Sequence, residues 1–237
     1  MASTIQLSRT ILVTQNYVRN APLTFPGGNN EPAFSNADWV RQFLLAPPFA
    51  WPWNRKTVSV TCEIGQQDYS VALADYGWLE KGIIIDPDST AVEIEVKTVL
   101  GDETVPNQPT HVAPQSDDGA GNITFRLLPP PDKAYTLKLV YQKAAPLFTA
   151  TTGTWVPIPD TLSYLFNQGF LAKAYEYLDD PRFAGSMQLF LRQALAANEG
   201  LSDADKNLFL GERLVSERES QNVTGNAALA RQSRGMF

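Results

Sequence analysis

Histidine occurs once in this chain, at His111, and cysteine once, at Cys62. Those two residues bound the available chemistry at once. A single histidine cannot build a multi-histidine metal centre. It stands in the proline-rich stretch "PNQPTHVAPQ", where a solvated imidazole is expected rather than a poised acid or base. Cys62 falls on the apolar phase of "TVSVTCEI", where cysteine packs as a small hydrophobe; a reactive thiolate needs an exposed, electropositive niche. One cysteine also excludes an intrachain disulfide framework. Carboxylate pairs stand at Asp86/Asp88, Asp117/Asp118 and Asp179/Asp180. "DPDS" at 86–89 is turn chemistry, and Asp180 is placed to cap a helix. "SDDGAGN" could hold a cation but lacks the spacing of an EF-hand. No G-x-S-x-G, G-x-x-x-x-G-K-[ST] or G-x-G-x-x-G occurs. The expectation is a protein that is not an enzyme and has no cofactor or metal site.

What remains is the aromatic run "FLLAPPFAWPWNR" at 43–55, with three prolines, two phenylalanines and two tryptophans. Such a run can dip into a membrane, stack on a sugar, or join two parts of a fold. Asn54-Arg55-Lys56 follows at once and no amphipathic helix supports insertion, which argues against a membrane. Sugar stacking would need exposed indoles. The reading adopted is a structural clamp, with Trp39, Trp51 and Trp53 wedged between a helix ending near Ala46 and a sheet starting at Thr57. Indole suits such a seam because it buries a large area and keeps one polar handle.

The elements that position these residues follow from periodicity. The 237 residues, 43% apolar and 19% charged, suffice for one large domain or two small ones. Residues 5–18 place Ile5, Ile11, Leu12, Val13 and Tyr17 at loose helical spacing, and "SNADWVRQFLLAPP" predicts a short helix capped by Ser35 or Asn36 and stopped by Pro47. Between them, "PLTFPGGNNEPAFSN" reads as a loop. From Thr57 the period becomes two: "TVSVTCEI", "AVEIEVK", "NITFRLL" and "AYTLKLVYQ" each alternate apolar and polar, with "GIIID" a shorter candidate. This predicts an antiparallel sheet or sandwich with one wet face. The stretch 106–122 reads as a long exposed loop. Helices resume with Asp160 as cap, then with Asp180 as cap and Pro181 at the first position, then with Ser202 and Asp205 as a capping box.

The predicted fold class is therefore α+β: a helical bundle from the N- and C-terminal segments, an inserted antiparallel β module, and a flexible C-terminal arm. The parts are 1–56, a helical part with the aromatic clamp; 57–150, the β module; 151–213, the returning helices; and 214–237, the arm. The N-terminal segment lacks a basic region followed by an apolar run, and no apolar stretch approaches the ~20 residues that span a bilayer. A soluble chain without a signal peptide is expected. The net charge of −6 and pI of about 4.9 argue against a nucleic-acid grip.

The order of these segments resembles the head-to-tail adaptor proteins of tailed bacteriophages. The likeness rests on the N-terminal helix, on Trp51 and Trp53 followed by "TVSVTCEIGQQDYSV", where Gly65 to Val71 forms the turn and second strand, and on the return through "GTWVPIPDTLSYLFNQGFLAKAYEYLDDPRFAGSMQLFLRQALAANEGL". In that return Ile158-Pro159-Asp160 opens one helix and Asp180-Pro181-Arg182-Phe183 marks a turn. It covers the layout of residues 5–210; the loop at 106–122 and the tail beyond 214 have no match. The resemblance implies a structural virion protein of the neck at the head–tail junction. It would form a homo-oligomeric ring, a dodecamer, on the portal protein, extend the DNA channel without binding DNA specifically, and offer a platform to the next neck or tail protein. A tail terminator or tail-side connector is the nearest rival, and a carbohydrate-binding β module using Trp51, Trp53 or Trp78 is the rival from another class. The end of the arm, "NAALARQSRGMF", has two arginines and no acid. Leu229, Arg231, Arg234, Met236 and Phe237 are the residues expected to bind the portal or a neighbouring copy, as a segment that orders on binding.

Overall fold

Among the described residues, five α-helical runs, the last at 203–209, and nine strands make up a helical layer and a β module. The structure is a computed structural model, and it describes residues 5–18, 31–144, 147–148, 154–155 and 158–209. Helix α1 (Leu7–Tyr17) buries Leu7, Thr10, Ile11 and Thr14, one face at i, i+3, i+4, i+7 spacing. Helix α2 (Glu31–Leu45) buries Ala33, Ala37, Val40 and Leu44 on a similar stripe. Helix α3 (Ser163–Tyr177) buries more than one face, including Leu165, Phe166, Gly169, Phe170 and Tyr175. It must do so because α1, α2 and α4 (Phe183–Ala197) all pack against it. At Gly169 a β-carbon would stand 2.8 Å from both Phe190 of α4 and Val40 of α2, so only glycine admits this approach.

The β module is one seven-stranded, nearly closed sheet. Its strands are β2 (Arg55–Thr61), β3 (Asp68–Ala72), β4 (Tyr76–Ile85), β5 (Ala91–Val96), β6 (His111–Asp117), β7 (Asn122–Leu128) and β8 (Thr136–Lys143). They lie in the order β2-β8-β4-β5-β6-β7-β3. The alternating residues converge on a core of Tyr69, Ile84, Val112, Phe125, Leu127, Leu137 and Leu139, all at most 3% exposed. Two further short strands, β1 (Ile5–Gln6) and β9 (Thr154–Trp155), pair with each other beside the helices.

Several sequence expectations change. The sheet is mixed rather than purely antiparallel, because β5 and β6 run parallel, Glu95 opposite His111 and Val96 opposite Val112. Parallel neighbours need a crossover, here the stretch 97–110. The exposed loop expected at 106–122 holds β6. Its outward residues are polar, and Pro114 sits at a register shift between Pro114 and Ser116, so the apolar signal reduces to Val112 and Ala113. Helix α2 begins at Glu31, upstream of the expected Ser35/Asn36 cap, and Asn36 is buried inside it. Asp160 opens a 3-10 turn, Asp160–Leu162, rather than α3 itself. Asp180 accepts the Arg182 N–H at 2.9 Å, but α4 starts only at Phe183. The Ser202 cap is present, half of the expected box: Asp205 N–H donates to Ser202 Oγ at 3.2 Å, and that hydroxyl donates to the Asp205 carboxylate at 2.6 Å. The loop at 21–30 lies outside the described residues. The helices share one apolar cluster centred on α3.

Candidate functional site

The clamp residues sit at the C-terminal end of α2, where helix geometry leaves carbonyls without partners. Helix α2 has no basic residue in its last turn to meet them. Two indoles do so instead. Trp51 Nε1 donates to the Leu44 carbonyl at 2.6 Å, and Trp78 Nε1, reaching over from β4, donates to the Leu45 carbonyl at 2.9 Å. Trp51 is 2% exposed and stacks on Phe49 at 6.1 Å and on Trp53 at 5.4 Å. Trp39 lies further up α2, stacked on Phe43 at 5.3 Å with the Lys173 ammonium 4.8 Å from its ring. All three tryptophans join the helical core. The polar tie to the sheet is made by residues the sequence reading did not assign to the clamp. Asn54, fully buried, donates to the Lys143 carbonyl at 2.9 Å, and Trp78 supplies the second link. A lone tryptophan on the polar phase of a strand was the available signal for Trp78.

Arg41 deepens the same seam. It is 2% exposed, pairs with Asp38, and places its guanidinium 4.9 Å from the Phe148 ring. Burial pulls its pKa down, and the Asp38 carboxylate opposes that pull. The Asp38 carboxylate also accepts the Phe148 N–H at 3.1 Å. This ion pair thereby anchors the chain returning from the sheet.

The residues considered for chemistry resolve into local structure. Burial pushes the Cys62 thiol up, away from thiolate character. His111 lies on β6 with Thr110 Oγ1 2.7 Å from Nδ1 and Glu95 Oε2 3.2 Å from Nε2. Hydroxyl, imidazole and carboxylate are in sequence there, but on the open outer face of the sheet. None of them lines the hollow of about 360 Å³ beside α1 or the one of about 390 Å³ at the α2–β4 seam. Asp117 and Asp118 accept backbone N–H groups of Gly119 and Ala120 within their own turn, and Asp86 does the same for Asp88. Among the described residues no group of three or more His, Cys, Asp or Glu could hold a metal ion. No helix among them is long and apolar enough to cross a membrane. The arm residues Leu229, Arg231, Arg234, Met236 and Phe237 lie outside the described residues.

A helical layer welded to a nearly closed sheet, with its conspicuous aromatics turned inward as cement, has the build of a scaffold. The comparison with protein families names the class: the model of the SU10 adaptor protein matches residues 33–214, which take in most of α2, the whole β module and the returning helices. The chain belongs to the SU10 adaptor protein family and is a phage adaptor-type structural protein. No curated protein matches it.

Proposed function

We propose that this chain is a structural protein of the phage neck. Its copies form a ring, a dodecamer, on the portal protein, extend the DNA channel and present the platform to which the next neck or tail protein attaches. The role is non-enzymatic and uses no cofactor. The observation that carries the reading is the family match, because it spans helical layer and β module as one unit. Two chemically different parts held in one body can supply the two unlike faces that a head-to-tail ring contact requires. The net charge of −6 suits a lumen through which DNA slides without sticking. The arm, 214–237, docks on the portal or on the adjacent subunit with Phe237 as its anchor.

A tail terminator shares the same chemistry and differs in its partner, tail tube instead of portal. The carbohydrate-binding reading is disfavoured by Trp51, which at 2% exposure offers no ring face to a sugar, and by Trp78, whose N–H is engaged by the Leu45 carbonyl. Negative-stain electron microscopy of the full chain mixed with the portal protein tests the proposal. A second ring stacked on the portal, lost when the chain is cut after Leu214 although the shortened protein still folds, is the expected result. A bare portal under every condition overturns the adaptor reading, and normal attachment of the shortened chain overturns the arm.

A further inference from the structure

Strand β2 is one of the two edges of the sheet, and among the described residues no ladder joins it to the other edge, β3. Just past its end, the Cys62 N–H donates at 2.8 Å to the carbonyl of Tyr135, which the β2–β8 register places directly opposite. In an antiparallel pair such bonds recur at every second residue, so Lys56, Val58 and Val60 bond to β8. Thr57, Ser59 and Thr61, all exposed, therefore turn their N–H and C=O groups to the free side. Among the described residues none of these groups has a partner. Edge strands are commonly blunted by a proline, a bulge or brevity. Strand β2 has none of these: it runs seven residues against β8 without a register shift and without a proline. Only the charged Arg55-Lys56 pair at its start departs from an open template. Its inner residues Val58 and Val60 are only partly buried, whereas Phe125 and Leu127 of β7 and Leu137 and Leu139 of β8 are fully buried. The core is thinly covered along this edge.

The described residues end beside the head of that strand. Phe209, the last of them, closes the helical run 203–209 and places its ring 5.7 Å from Phe49 and 6.2 Å from Phe43. Phe49 stacks on Trp51, and Trp51 on Trp53. Asn54 follows, and β2 starts at Arg55. A continuous run of rings thus leads from the point where the chain continues to the start of the open edge. Seven residues in strand conformation cover β2, roughly 23 Å. Residues 210–237 supply that length with chain to spare for the approach.

We infer that in the free chain the arm, residues 215–237, lies along β2 as an added strand, its backbone bonded to the outward N–H and C=O groups of Thr57, Ser59 and Thr61. Strand addition to an open edge draws its strength from main-chain hydrogen bonds and so asks little of the added sequence. The tether selects the occupant. A segment anchored at the head of β2 meets that edge at an effective concentration on the order of millimolar, which a second copy or another partner from dilute solution does not match. The docked arm covers an edge that would otherwise pair with other copies before assembly. It leaves that edge when the neck forms and the arm passes to the contact proposed above. The inference concerns the single chain and does not depend on the ring reading.

Hydrogen exchange read at single amides tests it, on the full chain and on a chain ending at Leu214, both dilute and without portal. The amides of Thr57, Ser59 and Thr61 should exchange about tenfold faster in the shortened chain. Those of Lys56, Val58 and Val60, held by β8, should not change, which reports that the fold is intact. Ser59→Pro gives a second readout. It removes an outward N–H that β8 does not use, a place where an edge strand tolerates proline. The melting curve should stay in place while tryptic cleavage after Arg231 and Arg234 becomes about tenfold faster, because the arm is released. Equal exchange of the outward amides in both chains, whether fast or slow, overturns the inference. Cleavage unchanged by Ser59→Pro in a folded variant overturns it as well. Protection that fades as the full chain is diluted assigns the cover to a second copy and overturns it too. None of these outcomes touches the ring reading, which ring formation on the portal decides separately.

Discussion

At the scale of single residues, Trp51 separates packing from hydrogen bonding at one position. Phenylalanine keeps most of the stacking on Phe49 but leaves the Leu44 carbonyl without its donor. Trp51→Phe should therefore cost about 1–3 kcal/mol, the range for stranding a buried polar group. Trp51→Ala also opens a cavity and should cost about 3–5 kcal/mol. Urea unfolding of the two variants measures the difference; equal losses would mean that the ring contributes little beyond its N–H. Asp180 makes a second case. Hydrogen bonds from the Arg182 side chain and N–H hold its carboxylate at about 2, below the ordinary value of about 3.9. Asp68 is held down in the same direction by Arg126. A folded-state value below the unfolded one gives stability that is present above about pH 4 and lost as pH falls toward 2. The melting temperature should decline through that window, and Asp180→Asn should flatten part of the decline. A variant as steep as the parent would remove Asp180 from the acid response.

At the scale of elements, two glycines in neighbouring helices should answer the same substitution with opposite signs. Alanine gains about 1 kcal/mol of helix propensity over glycine. At Gly185, in the first turn of α4, a β-carbon meets nothing within 4 Å, so Gly185→Ala should stabilise. At Gly169 the added carbon would stand 2.8 Å from Phe190 and Val40, both 0% exposed with no room to yield. Overpacking there costs about 1–3 kcal/mol, which exceeds the propensity gain, so Gly169→Ala should destabilise. Thermal melts of the pair decide it, and a stabilised Gly169→Ala would show that α2 and α4 can part from α3 cheaply.

At the scale of the whole molecule, helical layer and β module should unfold together. Asn54 to Lys143 and Trp78 to Leu45 tie a buried and a half-buried side chain of one part to the backbone of the other, so neither part opens without breaking these bonds. Far-ultraviolet circular dichroism and tryptophan fluorescence should trace one coincident transition in urea. Trp78→Phe removes one tie and should pull the two traces apart. Coincident traces in the variant would place the coupling elsewhere along the seam.

Strands β2, β7 and β8 were legible in the sequence because one face of each is wet, which writes burial into the chain as simple alternation. Helix α4 was legible for the parallel reason at a period of 3.6, and the Ser202/Asp205 cap because capping is local chemistry. Strand β6 was not, since Pro114 and outward polar residues dilute its pattern to two apolar positions. The parallel pairing of β5 with β6 could not be read either, because strand order is chosen by packing between segments and leaves no mark within them. The aromatic run was read as a wedge between helix and sheet, and its three tryptophans pack with the helical core. That its indoles close the end of α2, and that Trp78, 33 residues beyond Leu45, shares the task, depended on which carbonyls the fold brought within reach. Local chemistry and periodicity are properties of neighbouring residues, so the sequence carries them. Partnership across the fold exists only once the chain has closed on itself, and there the tertiary structure alone decided.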